Sequence, residues 1–369
     1  MNRYAIFFPQ FHRISINDKT WGAGFTDWHL IAYANAFNLW DRRAPLSGFY
    51  DLSKHEDIKN QFELAATYGI DGFGIYHYWF DNGPELNSVE NYLSDVNNPI
   101  FKLNYFFIWA NENWTKRWAG SDTSIIKTIN TSPSVDDIKK HVNYISKFMF
   151  KREYTKVDGR PMFVIYRPDF FYDTKYVIEI YRQEFRLNGI NPLIGYFIKN
   201  KQDERFDKIF DFAYLFEPRL FFNFYSKINS SIFYKFYSKV LLTKSYRYLE
   251  QISKYINIFI KKKHRVAFNI YLNYMKSPDR IAFSKTISCK TQNVISSGWN
   301  NTPRYRNNYF KIEAPTAAEF EELVKYTSLV KNEYPLLCNA WNEWSEGAAI
   351  EPCYYFNDYL TKIYMKNYF

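Results

Sequence analysis

Two glutamates near the C-terminus, Glu343 and Glu346, are the residues whose type and spacing best suit chemistry. They lie in the octet Ala-Trp-Asn-Glu-Trp-Ser-Glu-Gly at 340–347, directly after a short apolar run typical of a buried strand. One carboxyl group could exchange a proton with an oxygen of a glycosidic bond while the second acts at the anomeric side, and the two indoles could face a sugar ring. The octet also fits a capped loop with solvated carboxylates and packed tryptophans.

Eight short apolar runs are candidate strands, and longer polar or amphipathic segments separate most of them. The runs lie at 4–8, 72–76, 105–109, 162–166, 192–197, 211–216, 293–297 and 334–338. Helical spacing predicts helices at 53–69, 135–150, 176–187 and 320–331, whereas 11–51 is interpreted as a long aromatic loop. The alternation indicates a parallel sheet, and eight repeats in 369 residues favour a (β/α)8 barrel over a doubly wound sheet.

Polar, acidic or aromatic residues follow nearly every candidate strand. Because the carboxyl ends of barrel strands share one face, these residues are expected to converge on one site. They are Gln10, His12, His77, Trp79, Asn111, Glu112, Arg167, Glu217, Trp299, Glu343 and Glu346. Separate loops have little reason to be enriched alike, so the pattern favours a functional site over a packed loop for the octet.

Composition limits the classes of protein that fit. A hydrophobic fraction of 47% excludes a disordered chain, and 369 residues can bury a large core. The 48 basic residues exceed the 38 acidic residues, and the net charge of +10 favours an anionic partner. Three cysteines without metal-ligand spacing fit a reducing compartment. The first apolar run is too short for a signal peptide and no run of about 18 apolar residues occurs, so a cytoplasmic location is predicted.

The segment 219–265 fits no strand-helix repeat and is interpreted as an insertion into a single catalytic domain that spans 1–369. It carries eleven basic residues and one acidic residue, a net charge of +10 that equals the excess of the whole chain. Aromatic residues are interleaved with these charges. A helical segment of this kind could lie at an anionic membrane surface, where each basic residue contributes about 1 kcal/mol. It could equally pack its aromatic residues on the barrel.

Eight motifs in one order carry a family resemblance. They are Tyr-x-x-x-x-Pro-Gln-Phe-His at 4–12, Gly-x-Gly-Phe-Thr-Asp-Trp at 22–28, Gly-Phe-Tyr-Asp-Leu at 48–52, Tyr-His-Tyr-Trp-Phe at 76–80, Trp-Ala-Asn-Glu at 109–112, Ile-Tyr-Arg-Pro at 165–168, Gly-Trp-Asn-Asn-Thr-Pro-Arg at 298–304 and the octet with Asn339 before it. From Tyr4 to about Leu360 the chain resembles the WbsX-type glycosyltransferases of bacterial surface-polysaccharide clusters. Those proteins in turn resemble glycoside hydrolase family 99, the endo-α-mannosidases. The resemblance implies a (β/α)8 barrel with its site at the C-terminal face.

In family 99 the Glu-x-x-Glu pair is catalytic, and the resemblance carries this role to Glu343 and Glu346. It implies that Glu343 takes the proton of the sugar's 2-hydroxyl, so that O2 attacks C1 and an epoxide-like intermediate forms. Glu346 would protonate the leaving oxygen and then activate the acceptor, with retention of anomeric configuration. Two positions depart from the usual family pattern, Asp27 in place of Glu and Asn300 in place of Asp. Both are expected to affect which sugar is bound.

Other residues of the motifs are the expected sugar contacts. They are His12, Trp28, His77, Tyr78, Trp79, Asn111, Glu112, Arg167, Trp299, Trp341 and Asn342. No cofactor is expected, because the chain has neither a Gly-rich phosphate loop nor an Asp-x-Asp motif. A metal held by His12, His77 and Glu112 is disfavoured for want of a His-Glu-x-x-His motif or a close His/Cys pair.

The sequence therefore predicts a carbohydrate-active enzyme, with a glycan as its partner. The favoured interpretation is a glycosyltransferase that makes or extends an O-antigen or capsule on a lipid-linked glycan, at the inner membrane face. An endo-α-mannosidase-like hydrolase is the first alternative, and a non-catalytic glycan-binding barrel is the second. Nucleic-acid binding is disfavoured, because the positive charge is local to one segment.

Overall fold

Eight parallel strands form a closed barrel in the computed structural model, which describes residues 1–37, 43–95, 97–99, 103–116, 124–224, 265–305, 311–330 and 332–368. Each strand pairs with the next in the chain, and the last pairs with the first. The predicted (β/α)8 barrel is confirmed. The strands are β1 Arg3–Phe7, β2 Gly72–Phe80, β3 Asn104–Trp109, β4 Arg160–Ile165, β5 Leu193–Ile198, β6 Phe212–Leu215, β7 Lys290–Ser296 and β8 Leu336–Asn339.

Helices surround the barrel and also cover its carboxyl end. Within the described residues they are α1 Ser15–Trp21, α2 Asp27–Ala36, α3 His55–Thr67, α4 Ser88–Ser94, α5 Val135–Met149, α6 Thr174–Leu187, α7 Phe268–Met275, α8 Pro278–Thr286, α9 Thr302–Tyr305, α10 Ala317–Ser328 and α11 Tyr359–Met365. Short 3-10 turns lie at Pro168–Phe170, Lys201–Phe206 and Trp344–Glu346. Two-residue and three-residue strands outside the barrel lie at Gly83–Glu85, Trp114–Thr115, Ile125–Lys127, Lys156–Val157, Arg265–Val266, Trp299–Asn300 and Lys311–Ile312.

The barrel interior is filled by aromatic rings. Tyr4 and Phe106 have ring centroids 6.1 Å apart, and Phe106 lies 6.5 Å from Tyr214 in a parallel arrangement. Glycine makes room for such rings on neighbouring strands. A Cβ atom on Gly72 would lie 2.6 Å from the ring of Tyr4. The ring-filled interior supports the open carboxyl end, where the loops carry the site.

The outer helices follow the amphipathic pattern that the sequence shows. Helix α5 buries Ile138, Val142 and Ile145 on one face, and Ser134 caps its first turn by accepting a hydrogen bond from the backbone of Asp137. Predicted and observed bounds differ by only a few residues for the four helices and most strands that the sequence analysis identifies. Local pattern is therefore sufficient where a helix has one face on the barrel and one in solvent.

One prediction about secondary structure is wrong. The segment 11–51 was interpreted as a loop, but it contains α1 and α2. The capping box between Thr26 and His29 begins α2, and the apolar residues of this helix are spread around it rather than along one face. Its buried residues share one face, but its exposed face also carries the apolar residues Ala32, Tyr33 and Ala36. Hydrophobic periodicity cannot identify such a helix.

Residues 225–264, which make up most of the basic insertion predicted at 219–265, lie outside the described residues. The insertion's helical character and its membrane contact therefore stay predictions, as does the interpretation of 1–369 as a single domain. Among the helices of the described residues, none combines the length and apolar composition that crossing a membrane requires.

Candidate active site

The octet leaves β8 at the carboxyl end of the barrel and turns back on itself. The backbone N–H of Ala340 donates to the carbonyl of Ala348, and Ile350 donates to Ala340. Gly347 has φ +61°, and a Cβ atom there would lie 2.9 Å from the Cβ of Asn300, so glycine suits this position on both counts. The tight loop holds Glu343, which is 5% exposed, and the half-buried Glu346 on the open end of the barrel.

A single arginine joins the two glutamates. The Nη1 atom of Arg304, on α9, contacts Oε1 of Glu346, while Nη2 lies 3.6 Å from Oε2 of Glu343. Nη2 also donates a hydrogen bond of 3.0 Å to Oδ2 of Asp27, at the start of α2. The same Asp27 oxygen accepts a hydrogen bond of 2.7 Å from Ser345 Oγ. Three carboxylates thus surround one guanidinium. Asp27 and Arg304 both lie in the sequence motifs, but the sequence predicts no role for Arg304.

Burial and mutual repulsion change the acidity of the pair. Burial, followed by the charge of Glu346, raises the pKa of Glu343 well above its ordinary value. Burial also raises the pKa of Glu346, although Arg304 and Arg219 oppose this shift. Two carboxyl groups that are close together and hard to ionise at once retain a proton at higher pH than solvated groups do. The pair therefore has the electrostatics of a proton-exchanging site.

Tyrosines form one wall beside the pair. Tyr76 and Tyr78 both point inward from β2, and Gln10 Nε2 donates a hydrogen bond of 2.7 Å to Tyr78 Oη. Burial, aided by the charge of Glu343, raises the pKa of both phenols well above the ordinary value, so they remain protonated donors. Tyr78 is among the sugar contacts expected from the sequence and Tyr76 is not, although both lie in the same motif. Strand alternation, applied from Tyr78, identifies Tyr76.

Buried acceptor atoms lie near these groups without a partner. Within the described residues, Oε2 of Glu343, Oδ1 of Asp27 and Oε1 of Gln10 are buried and accept no hydrogen bond. Leaving a buried acceptor unpaired costs about 1–3 kcal/mol. A ligand rich in hydroxyl donors would satisfy such atoms, which is what a sugar offers.

Asn111, Glu112 and Arg167 lie at the exits of β3 and β4. Asn111 is fully buried and bonds the backbone of Arg167 twice, with its Nδ2 donating to the carbonyl at 2.8 Å and its Oδ1 accepting from the N–H at 2.7 Å. It therefore joins two loops. Glu112 lies 3.7 Å from Arg167 and is partly exposed, and its charge contributes to the raised pKa of Glu346. Glu112 and Arg167 are thus placed at the rim of the site.

His12 and Trp299 are buried close to the loops of the carboxyl end. His12 Nε2 lies 3.1 Å from Ser88 Oγ, and burial lowers the pKa of the imidazole, which is therefore neutral near pH 7. Trp299 is 6% exposed, and its ring packs against Phe222. Neither contact joins these side chains directly to the glutamate pair.

The indoles of the motifs do not face the site. Trp341 is fully buried and donates from Nε1 to Gln61 of α3 at 2.8 Å. Trp28 donates to the carbonyl of Tyr50 at 2.7 Å, and its ring stacks on Phe11. The expectation that these two rings contact a sugar is corrected by this geometry, because both rings are used in packing. Trp344 of the octet is likewise fully buried and donates to Glu351 at 3.0 Å.

Asn342 is a clamp between two strand exits. Its Oδ1 accepts a hydrogen bond of 2.7 Å from the backbone N–H of Phe8, and its Nδ2 donates to the Phe8 carbonyl at 3.0 Å. The side chain is fully buried. Asn342 therefore holds the loop after β1 against the octet, and the predicted sugar contact is corrected to a structural role.

His77 and Trp79 point away from the site as well. Side chains alternate along β2, so that Tyr76 and Tyr78 face inward while His77 and Trp79 face the helix layer. His77 is fully buried between Glu90 and His141, with ring nitrogens 2.7 Å and 2.8 Å from them. Trp79 stacks on His141 at 4.7 Å. The expected sugar contacts of these two residues are corrected, because the strand places them outside the barrel.

Comparison with known proteins agrees with this architecture. The family model described as "Glycosyltransferase WbsX" matches residues 3–363. The uncharacterized protein WxcX of Xanthomonas campestris pv. campestris is 24% identical over 359 residues, which cover 94% of this chain and 47% of that protein. This chain thus spans about half the length of that relative.

Solved structures support the fold independently. The GH99 endo-alpha-mannosidase from Bacteroides thetaiotaomicron, crystallised with bis-tris propane, superposes with a TM-score of 0.58 at 12% identity, over 98% of this chain and 95% of that one. A glycoside hydrolase-like protein gives a TM-score of 0.53 at 15% identity, over 87% and 88% of the two chains. At these identities the likeness concerns the fold alone.

Proposed function

We propose that this chain, which belongs to the WbsX glycosyltransferase family, transfers a sugar during synthesis of a bacterial surface polysaccharide such as an O-antigen or a capsule. The acceptor is a lipid-linked glycan at the cytoplasmic face of the inner membrane, and the basic segment 219–265 contacts that surface. The observation that carries the proposal is the pair Glu343 and Glu346 around one guanidinium at the open end of the barrel. Family membership supports the broader statement that the protein is a glycan-processing enzyme.

The proposed chemistry uses the donor sugar's own 2-hydroxyl. Glu343 takes the proton of that hydroxyl while O2 forms a bond to C1, the bond from C1 to the leaving oxygen breaks, and Glu346 protonates that oxygen. In the second step the acceptor hydroxyl attacks C1 and gives its proton to Glu346, and O2 recovers a proton from Glu343. Two inversions at C1 retain the anomeric configuration. The raised pKa values of both glutamates support proton exchange at a higher pH than ordinary carboxyl groups allow.

Several of the predicted contacts remain in the proposal. Tyr78 contributes a hydroxyl beside Glu343, and Glu112 and Arg167 offer charged groups at the rim. His12 and Trp299 form part of the loops that border the site. The unpartnered acceptors on Glu343, Asp27 and Gln10 bind hydroxyl groups of the sugar.

A hydrolase is the second candidate, because the same pair would cleave a glycan if water replaced the acceptor hydroxyl. The barrel resembles that of a GH99 endo-alpha-mannosidase. This resemblance concerns the fold alone, but it is a reason to assay hydrolysis as well as transfer. The purified protein is incubated with a lipid-linked oligosaccharide, with the same oligosaccharide freed of lipid, and with a panel of nucleotide sugars. Growth of the lipid-linked product supports transfer, whereas shortening of either glycan without growth supports hydrolysis.

The pair itself is tested by Glu343→Gln and Glu346→Gln, with Glu179→Gln on the exposed face of α6 as the matched control. General acid–base assistance is worth about 10²–10⁴-fold, and each site variant is expected to lose at least that much turnover. Circular dichroism and the thermal midpoint establish that the fold survives. Near-normal rates in both site variants would leave only a non-catalytic glycan-binding role.

A further inference from the structure

Arg304 makes different contacts with the three carboxylates around it. Its Nη1 contacts Glu346, and its Nη2 donates to Asp27, which is also bonded by Ser345. Glu343 receives no hydrogen bond from the guanidinium, because Nη2 stops 3.6 Å from Oε2. That oxygen is buried and has no hydrogen-bond partner among the described residues. The geometry thus favours the anionic forms of Asp27 and Glu346 but not that of Glu343.

The number of charges at this site also indicates that one of the three carboxyl groups is not ionised. With Asp27, Glu343 and Glu346 all ionised, Arg304 in contact and Arg219 nearby would leave one uncompensated negative charge in a buried cluster. Burying uncompensated charge is costly, so one carboxyl group retains its proton. The other groups that act on the pair from neighbouring elements are Arg219, Glu112 and the phenols of Tyr76, Tyr78 and Tyr166.

We propose that Arg304, held by Asp27, is a positioning residue that decides which of the two glutamates carries their shared proton. The proposal rests on the function proposed above and adds two residues to its machinery. In the observed geometry Glu346 is the carboxylate and Glu343 carries the proton. This arrangement is the reverse of the one needed at the start of the proposed reaction, in which Glu343 is the base and Glu346 is the acid.

A small displacement of Arg304 exchanges the two states. When Nη2 closes onto Oε2 of Glu343 and Nη1 leaves Glu346, the carboxylate form becomes favourable at Glu343 and the protonated form at Glu346. The number of protons in the pair does not change. Asp27 opposes this movement, because its bond to Nη2 holds the guanidinium away from Glu343. Asp27 is therefore the element that keeps the resting state until a sugar occupies the site.

The two positioning residues must act on the pair with opposite sign. Removing the positive charge of Arg304 raises the pKa of both glutamates, whereas removing the negative charge of Asp27 lowers them. The opposite signs follow from the charges alone, whereas the order in which the two glutamates ionise depends on which of them Arg304 contacts. The conservative variants Asp27→Glu and Arg304→Lys keep the charges and are expected to retain most of the wild-type titration.

The test is a carboxyl titration followed by 13C NMR on protein labelled at the glutamate side-chain carboxyl, from pH 4 to pH 9. Glu343→Gln and Glu346→Gln assign the two signals. In the wild type Glu346 is expected to ionise before Glu343. Arg304→Gln is expected to shift the titrations upward by about one pH unit or more, and Asp27→Asn to shift them downward. Arg186→Gln on α6 and Asp173→Asn at the N-cap of α6, where asparagine can also cap the helix, are the controls.

The outcomes separate this proposal from the function on which it rests. Ionisation of Glu343 before Glu346, or shifts in the same direction for Arg304→Gln and Asp27→Asn in folded protein, would overturn the positioning role. If Arg304→Gln fails to fold, the wild-type order and the Asp27→Asn shift still decide. Titrations as expected without turnover of any glycan would sustain the positioning role and overturn the function. Glycan turnover together with titrations that do not shift in the variants would overturn the positioning role and sustain the function.

Discussion

The hydroxyl group of Tyr78 can be removed without changing the aromatic packing, so its role at the site can be tested separately from the stability of the fold. Its hydroxyl accepts a hydrogen bond from Gln10, and among the described residues no acceptor bonds its own proton. Under the proposed function that proton would bind an oxygen of the sugar beside Glu343, whose charge contributes to the raised pKa of the phenol.

We expect Tyr78→Phe to lower kcat/KM by about tenfold, because one hydrogen bond contributes about 0.5–1.5 kcal/mol. The aromatic packing is unchanged, so the thermal midpoint should move little. Tyr172→Phe is the matched control, since Tyr172 is 92% exposed. Steady-state kinetics on the substrate found in the transfer assay measure the effect. An unchanged kcat/KM in Tyr78→Phe would remove the phenol from the site.

At the residue scale the sequence located the acids but not the surfaces of the site. The convergence of the strand exits and the family motif predict Glu343 and Glu346, which the structure places together beside Arg304, and their catalytic role stays a prediction. The positions of Trp341 and His77 could not be predicted, because a strand of a parallel barrel is buried on both faces. In β2 every second residue faces the helix layer, and the run Tyr-His-Tyr-Trp-Phe contains no hydropathy signal that tells the two faces apart.

At the scale of elements, a buried hydrogen-bonded chain joins β2 to α4, α5 and α6. His77 lies between Glu90 and His141, and His141 Nδ1 is 2.7 Å from the Tyr181 hydroxyl. With both imidazoles neutral, one direction of donation satisfies every atom. Tyr181 donates to His141, His141 donates to His77, and His77 donates to Glu90. Protonation of His141 breaks this order, because His141 Nδ1 would then no longer accept from Tyr181.

Acid should therefore weaken the helix layer through His141. Burial, followed by repulsion from His77, lowers the pKa of His141 well below its ordinary value. The unfolded chain binds a proton at this residue below about pH 6.5 and the folded chain does not, so stability is lost as pH falls through that value. His141→Gln cannot ionise, so on going from pH 7.5 to pH 5.5 its unfolding midpoint in urea should move in the stabilising direction relative to the change in the wild type.

His55→Gln provides the comparison, because His55 is an exposed residue at the start of α3. It should change its urea midpoint with pH as the wild type does. An equal pH dependence in the wild type and in His141→Gln would contradict the role of this chain of hydrogen bonds.

Elements with one buried face were predictable, whereas those at the end of the barrel were not. The eight strands and the helices α3, α5, α6 and α10 follow from runs and periods in the sequence. Helix α2 does not, because apolar residues lie on its exposed face as well as on its buried face, and yet it supplies Asp27 to the site. Arg304 comes from α9, a helix of four residues that no periodicity can indicate. The parts of the site that set the charge of the glutamates therefore lie where local pattern is weakest.

At the scale of the whole molecule, closure of the barrel assembles the site. Residues from the two ends of the chain meet because β1 pairs with β8, and Asn342 then joins the octet to Phe8. Two further buried carboxyl groups belong to this framework. Burial raises the pKa of Glu217 and of Glu351 to about 7 in each case. Glu217 lies 3.3 Å from Arg280, whereas Glu351 is bonded by neutral donors such as Tyr50.

These two groups give the molecule an unusual dependence on pH. Their folded-state pKa lies above the unfolded value of about 4.3, so between about pH 5 and pH 7 the folded chain holds protons that the unfolded chain releases. Their contribution to stability is fully present below the unfolded pKa and declines as pH rises towards 7. Unfolding at pH 6 should release protons from both groups and from the pair Glu343 and Glu346, whose pKa values burial also raises, while His141 takes one up. Calorimetry in buffers of different ionisation enthalpy measures the net number of protons released.

Glu351→Gln should release about one proton fewer than the wild type, whatever its own stability, and Glu179→Gln should release the same number as the wild type. A proton count that Glu351→Gln leaves unchanged would show that Glu351 is already ionised in the folded barrel at this pH.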